Sequence, residues 1–210
     1  MASSVKYILL DHNKEMCSAW NEEFFNVEGV SVVNAGFVDY MNDTDLEIDG
    51  IVSPANSFGI MDGGYDAAIT EYFGTSVMRG IQNVIKDRYR GIQPVGTALS
   101  MKINDKTTLL HVPTMYFPSK ITDVRIIFQC MLSTLIEADR NGLKTIVIPA
   151  FGSGYGKVHF CDVSRMMKVA YDYYMYPVKI INWDTVGHFA ESTYGVEYYS
   201  QSEIISDDSL

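Results

Sequence analysis

Residues Ile51 to Gly74, reading IVSPANSFGIMDGGYDAAITEYFG, restrict the fold more than any other stretch of the chain. An apolar run, Ile51-Val52, stops at Pro54 and gives way to a polar elbow, Ala55-Asn56-Ser57. Gly59, Gly63 and Gly64 follow, and Tyr65 to Tyr72 has the pattern of a helix closed by Gly74. A strand, a glycine loop and a helix, in that order, turn bare backbone N–H groups toward a phosphate in α/β proteins. An amide (Asn56) and a carboxylate (Asp66) flank the loop. The stretch reads as the floor of a nucleotide pocket.

The rest of the chain supplies a sheet for that floor. Tyr7–Leu10 predicts a strand, and Met16, Trp20 and Phe24 at spacing four predict one face of a helix over Asn13–Asn26. Val30–Asn34 is a second strand, Phe37–Asp49 an acidic, irregular surface connection, and Gly50–Ser53 the central strand. A helix over Thr75–Arg90 follows, ended by Gly91, with Val77, Ile81, Val84 and Ile85 on one side. Strands over Gly96–Ile103 and Thr107–Thr114 are joined at Asn104-Asp105 as a hairpin. Thr122 is the expected N-cap of a long helix to Asn141, with Gly142 at its C-cap. Then come a strand (Thr145–Pro149), a second glycine loop (Phe151–Val158), a helix (Phe160–Tyr174) broken by Pro177, and a last strand (Val178–Trp183). Alternating strands and helices give a mostly parallel sheet with helices on both faces, and the hairpin makes it mixed. In such sheets ligands gather beyond the carboxyl ends of the strands. Both glycine loops follow strands, so they are expected to meet on one edge of the sheet.

At 210 residues and 47% hydrophobic, the chain has material for one good-sized domain. That domain is expected over residues 5–199, with the acidic residues 200–210 as a loose tail. A net charge of −10 argues against bulk nucleic acid and acidic membranes as partners. Cys17, Cys130 and Cys161 are far apart, which suits a reducing compartment and a cytoplasmic location; Cys130 and Cys161 read as small core residues inside helices. No apolar run reaches the roughly 18 residues of a membrane span, and MASSVKY at the N-terminus carries no signal-peptide core. His12, His111, His159 and His188 lack metal-ligand spacing, so no metal is expected, and His111 reads as a hydrogen-bonded core histidine. The tyrosines at Tyr171, Tyr173, Tyr174 and Tyr176 read as helix packing.

The second glycine loop, IPAFGSGYGKV over 148–158, excludes two nucleotide motifs. A P-loop needs GxxxxGK and then Ser or Thr; Gly152 to Gly156-Lys157 is one spacer short and Val158 stands at the hydroxyl position. The last interval of Gly152-Ser153-Gly154-Tyr155-Gly156 is wrong for GxGxxG. Either the loop wraps a diphosphate, or it is a tight strand-to-helix turn using glycine for positive φ.

The pair of motifs, PAN…GG-x-D-x-A-I and then P-A-x-G-S-G, resembles the macrodomain family, which binds ADP-ribose. Ser53–Gly59 and Met61–Asp66 are similar to the bacterial and phage subgroup written SPANSFG and MDGGxD, as is His111-Val-Pro-Thr-Met115. The resemblance covers Val5 to Tyr174 and implies a three-layer α/β fold that binds ADP-ribose or an ADP-ribosylated substrate without a cofactor. It implies hydrolysis of ADP-ribosyl linkages (ester-linked protein ADP-ribose, O-acetyl-ADP-ribose or ADP-ribose-1''-phosphate). The other reading is a non-catalytic reader or sponge of such signals.

The same resemblance distributes roles. Asn56 matches the amide on the distal ribose, its alternative being an Asx-type turn residue. Asp66 matches the acid that works on water near the anomeric carbon, its alternative being a first-turn Asp favoured by the helix dipole. Gly63 and Gly64 let backbone approach the diphosphate and ribose, with Ser53, Ala55, Ser57 and Tyr65 around them. Asp62, where the family often has a third glycine, either points away or caps the helix. Gly152, Ser153, Gly154, Tyr155 and Gly156 match the loop that grips the diphosphate. Either Tyr155 supplies the aromatic that packs on the distal ribose, or that pocket is more open. Lys157 either reaches a phosphate or is solvated. The family's adenine-binding acid is missing from Ala35-Gly36-Phe37-Val38-Asp39, leaving Asp39 to substitute and Phe37 to stack on the base.

Overall fold

The computed structural model describes residues 5–195. The chain divides into two units, residues 1–171 and 172–210. Apolar runs become central strands because a strand paired on both edges and covered on both faces turns no side to water. β1 (Lys6–Asp11) is such a run, with Tyr7–Leu10 buried. It pairs in parallel with β2 (Val30–Asn34) on one edge and with β6 (Thr145–Ile148) on the other. β3 (Gly50–Ser53), buried throughout, lies parallel between β6 and β5 (Thr108–His111). β4 (Leu99–Lys102) runs antiparallel along the outer edge of β5, Leu99 opposite His111. The order is β2-β1-β6-β3-β5-β4, mixed and mostly parallel as expected.

Strand alternation divides the core between two faces. Ile8, Leu10, Ile51, Leu109 and Val147 join a cluster with residues of α2 (Phe37–Asp43), α3 (Gly64–Phe73) and α4 (Ser76–Tyr89). Tyr7 points the other way and meets Tyr171 of α6 (Phe160–Met175) edge-on at 5.8 Å. α1 (Lys14–Glu23) buries Met16, Cys17, Ala19 and Trp20 and is capped by Asn13, whose Oδ1 accepts from Glu15 and Met16 N–H at 2.8 and 3.3 Å. α5 (Arg125–Arg140) buries Cys130 and Met131, and Gly142 follows it at φ 67°. Asp49, just ahead of β3, accepts from Lys144 N–H at 2.8 Å and Thr145 N–H at 2.8 Å and so fixes the register of β3 against β6.

The structure corrects several local expectations. Phe37–Asp43 is a helix and not an irregular connection, because Phe37 is buried and Tyr40 and Met41 pack on the same cluster despite the acidic residues between them. α4 ends one residue early, with Arg90 itself in the left-handed region at φ 57°. α5 starts at Arg125 rather than after Thr122; the Asp123 carboxylate, not the threonine, takes the Arg125 N–H at 3.0 Å. Cys161 is exposed, since α6 turns Val163, Met166, Met167 and Ala170 inward.

In the second unit Val178–Ile181 forms no strand, and Ile181 is 89% exposed. Asn182 instead opens α7 (Trp183–Phe189) with a capping box: its Oδ1 accepts from Thr185 N–H, and Thr185 Oγ1 accepts from Asn182 N–H, each at 3.0 Å. A π-helical turn, Ala190–Tyr194, follows. The expected tail over 200–210 lies outside the described residues. No helix among the described residues is long and apolar enough to cross a membrane.

Candidate functional site

Strands that run parallel end together, and their exits share one edge of the sheet. Along that edge of the first unit lies a cavity of about 470 Å³, within the usual range of small-molecule sites. The strand order maps its length. Gly36 and Phe37 line it after β2, Asp11 at the end of β1 with His12 just beyond, Pro149 and Ala150 after β6, Pro54 and Asn56 after β3, and Thr114 and Met115 after β5. Four strand intervals make a trough on the order of 19 Å long.

The two glycine loops meet across its middle, as the sequence predicts. A Cβ placed on Gly63 would lie 3.5 Å from the Tyr155 ring, so the aromatic of the second loop reaches over the first. Tyr155 is nonetheless 65% exposed and has a face to offer. Gly63 is the N-cap of α3 with no side chain bonded to the helix end, which leaves the first N–H groups of that helix available. The second loop is tightly folded. A Cβ on Gly156 would collide with the Gly152 carbonyl oxygen and lie 2.7 Å from Ile121 Cδ1, while Gly152 sits at φ 73°. Val158 and Ile121 N–H groups close the loop onto Gly152 O and Gly156 O at 3.1 and 2.9 Å. Ser153 and Gly154 also line the cavity.

Asp66 lies in the first turn of α3 on the cavity wall. Ser53 Oγ donates to its Oδ1 at 2.6 Å. Burial raises the carboxyl from 3.8 to about 7, with the Ser53 hydrogen bond pulling the other way. Part of the residue still reaches the cavity, so this carboxyl is desolvated and addressable, a frequent property of acid–base groups. Tyr65 follows Gly64 on the same helix; its hydroxyl is buried without a hydrogen-bond partner, and burial followed by the charges of Asp66 and Asp11 raises its pKa.

Other expected residues stand elsewhere. Ser53 and Ser57 are completely buried and Ala55 is 5% exposed; none of the three lines the cavity. Ser53 holds Asp66, and Ser57 N–H donates to Met115 O at 3.0 Å, tying the β3 exit to the β5 exit. Asn56 lines the cavity while serving its own loop: Oδ1 accepts from Phe58 and Ile60 N–H at 3.1 and 3.3 Å, and Nδ2 donates to Ile60 O at 2.8 Å. An amide has two N–H donors, so one remains to be offered outward. Phe37 lines the trough but is 3% exposed, with its ring edge-on to Tyr65 and Tyr72 at 5.3 and 6.0 Å. Asp39 is exposed on α2 outside the lining. Asp62 neither caps α3 nor lies apart; it is exposed in the lining. Lys157 is exposed and outside the lining. His111 is fully buried, its Nδ1 2.7 Å from Gln93 Oε1, and burial lowers it to about 3.

Sequence reading passed over Asp11 and His12. The signal was present: Asp11-His12-Asn13 is a polar exit from a buried strand, as Asn56-Ser57 is beyond Ser53, but no glycine marks it.

Comparison with known proteins agrees with the geometry. The family model described as Macro domain matches residues 52–167. A protein of Aquifex aeolicus is 30% identical over 118 residues, 55% of this chain and 67% of its own length. One from Aeropyrum pernix is 26% identical over 129 residues, 60% of this chain and 65% of its own, so the chain spans about two thirds of each relative. Among solved structures, the macrodomain of Mycobacterium tuberculosis DarG superposes with a TM-score of 0.52 at 15% identity, over 60% of this chain and 83% of that one. The Oceanobacillus iheyensis macrodomain with ADP gives 0.53 at 16%, over 60% and 68%. Thermosipho africanus DarTG in complex with ADP-ribose gives 0.50 at 18%, over 64% and 36%. The family match, over more than half of a chain folded in the same α/β pattern, establishes that this protein belongs to the macrodomain family.

Proposed function

We propose that the trough binds ADP-ribose or a closely related nucleotide and that the protein hydrolyses ADP-ribosyl linkages there. The observation that carries the reading is Asp66: a half-buried carboxyl at about 7, held by Ser53, beside the uncapped start of α3 and under the meeting point of two glycine loops. Similar folds are recorded with ADP and with ADP-ribose. The α3 N-terminus and the 152–156 loop suit a diphosphate, since both offer backbone N–H groups in the middle of the trough. The spare Nδ2 hydrogen of Asn56 suits a ribose hydroxyl. Asp66, once ionised, takes a proton from water as the water oxygen bonds to the anomeric carbon of the distal ribose; the bond to the carrier oxygen breaks and its electron pair leaves with the carrier. Ester-linked protein ADP-ribose and ADP-ribose-1''-phosphate carry such a leaving group on the anomeric carbon, as does O-acetyl-ADP-ribose with its acetyl on the 1''-oxygen.

Titration calorimetry with ADP-ribose, followed by product analysis on an ester-linked substrate, tests both parts. Binding with turnover that is lost in Asp66→Ala is the expected result. No heat and no thermal shift in excess ADP-ribose would refute the whole reading, because a ligand at 100 times its Kd adds about 2.7 kcal/mol. Binding without product would leave a reader or sponge, which the commitment of Asn56 to its own loop favours.

A further inference from the structure

We propose that the outer face of α4 and the aromatic rim beside it form a docking surface for a single strand of nucleic acid, outside the trough and continuous with its β3–β5 end. The inference goes beyond the nucleotide reading and is tested apart from it, because none of the residues it invokes lines the trough. Four cations, Arg79, Lys86, Arg88 and Arg90, stand within twelve residues beside one acid, Asp87, in a chain of net charge −10. All four are exposed, and none makes an ion pair among the described residues. Arg79, Asn83 and Lys86, at spacings of four and three, share the face opposite buried Val77, Ile81 and Ile85, and Arg90 continues the row as the C-cap. From Arg79 to Arg90 the row is about 16 Å long. The helix dipole accounts for Lys86 and Arg88 in the last turn, but Arg79, at the other end, gains nothing from it.

The row leads to the trough. Gln93 N–H, shortly past Arg90, donates to Ser57 O at 2.9 Å, and Ser57 N–H donates to Met115 O at 3.0 Å. Those bonds stitch three segments into one rim, and each segment turns apolar side chains to water: Ile92, Phe58, and the pair Tyr116 and Phe117, 53% and 64% exposed. Phe58 stands between Asn56 and Ile60 of the lining, and Tyr116-Phe117 between Met115 and Pro118. Apolar side chains gathered on one rim with polar surroundings mark a place where a partner lies. A cationic row ending in exposed rings matches a strand whose phosphates take the charge and whose unstacked bases take the ring faces. An acidic polypeptide would use the cations and leave the rings bare, and a duplex keeps its base faces stacked. The net charge opposes a footprint over the whole protein; a row one helix wide gives a weak, salt-sensitive contact instead. A strand held there would present whatever it carries to the end of the trough where Asn56 lies.

Fluorescence anisotropy with a labelled single-stranded DNA of about ten nucleotides reads the contact on the full chain. Binding is expected at about 0.05 M sodium chloride and should fall roughly a hundredfold by about 0.5 M, since about three phosphate contacts give a logarithmic slope of about −2. Arg79→Gln and Lys86→Gln should each flatten that slope by about 0.7. Phe117→Ala should weaken binding about fivefold or more. Lys144→Gln, just ahead of β6 at the opposite end of the strands, should change nothing. Saturating ADP-ribose should leave the strand bound, the two sites being separate. No anisotropy change at low salt, or binding unaltered in α4 variants that melt like wild type, would overturn the inference with the ADP-ribose reading intact. So would equal binding of a duplex of the same sequence, or displacement by ADP-ribose. Competition by polyglutamate together with indifference to Phe117→Ala would overturn it in favour of an acidic polypeptide. Titration calorimetry with ADP-ribose on the same samples reports the nucleotide reading by itself, so either can fail without the other.

Discussion

Replacing Asp66 with Asn tests the energetic state of the site without any substrate. An acid whose folded pKa is raised holds its proton in the folded chain at pH values where the unfolded chain has released it. Stability therefore falls as pH rises through that window, here from 3.8 to about 7. Each tenfold difference in proton affinity is worth about 1.4 kcal/mol, so ionising Asp66 costs the fold roughly 4 kcal/mol in full. Asp66→Asn lacks this term. Urea unfolding followed by tryptophan fluorescence, Trp20 being completely buried in the first unit, should show the variant gaining on wild type between pH 4 and pH 8 by up to roughly 4 kcal/mol. The comparison cancels every other titrating group. His111 makes the cancellation necessary: its pKa is lowered to about 3, so its contribution is complete above 6.5 and is lost as pH falls through about 3, the opposite slope to Asp66. Wild type should therefore look nearly flat between pH 4 and 6.5, and Asp66→Asn should climb there. Parallel pH curves for the two proteins would refute the claim that Asp66 is desolvated.

Replacing His111 with Gln should remove the opposing slope, so that stability falls steadily from pH 4 to pH 7; a curve still flat over that range would contradict the burial account. Gly156→Ala drives a methyl into the Gly152 carbonyl and Ile121, which should cost about 1–3 kcal/mol in urea unfolding and weaken ADP-ribose binding as the loop shifts. Tyr155→Ala uncovers Gly63 and should weaken calorimetric affinity for ADP-ribose roughly tenfold, on the scale of lost aromatic contact, with Tyr155→Phe close to wild type.

Strands such as β1, β3 and β6 were legible because a strand buried on both faces spells an uninterrupted apolar run, and the glycine loops were legible because backbone in tight approach tolerates little else. Phe37–Asp43 was not, since its few apolar residues are spaced among acids and only the cluster beneath them reveals the helical face. The strand expected over Val178–Trp183 misled for the converse reason: β-branched composition suggests a strand, but no neighbouring strand pairs with it among the described residues, and the Asn182–Thr185 capping box starts a helix at Trp183 instead. In the site, sequence found the hydroxyls of Ser53 and Ser57 but not their direction. Ser53 closes β3, where strand phase decides whether a side chain faces a ligand or its neighbours, and its hydroxyl goes to Asp66, while Ser57 is buried in the turn beyond.

That inward turn leaves the trough with an unusual way to hold an anion. Among the described residues neither lysine nor arginine lines it; Asp11, Asp62 and Asp66 do, in a chain of net charge −10. A diphosphate there would be held by backbone dipoles of the α3 start and the 152–156 loop. Dipoles at hydrogen-bond distance are little affected by salt, while the long-range repulsion between an acidic protein and an anion is screened once the Debye length falls to about 3–10 Å. ADP-ribose affinity should then stay constant or improve slightly as sodium chloride rises from about 0.05 to about 0.5 M, with the on-rate rising most. A site built on lysine or arginine contacts to the phosphates would lose affinity over the same range. A tenfold loss in calorimetry would show that a cation enters the trough when the nucleotide binds. Lys157, exposed beside Gly156, would be the first to test, by Lys157→Ala at both salt concentrations.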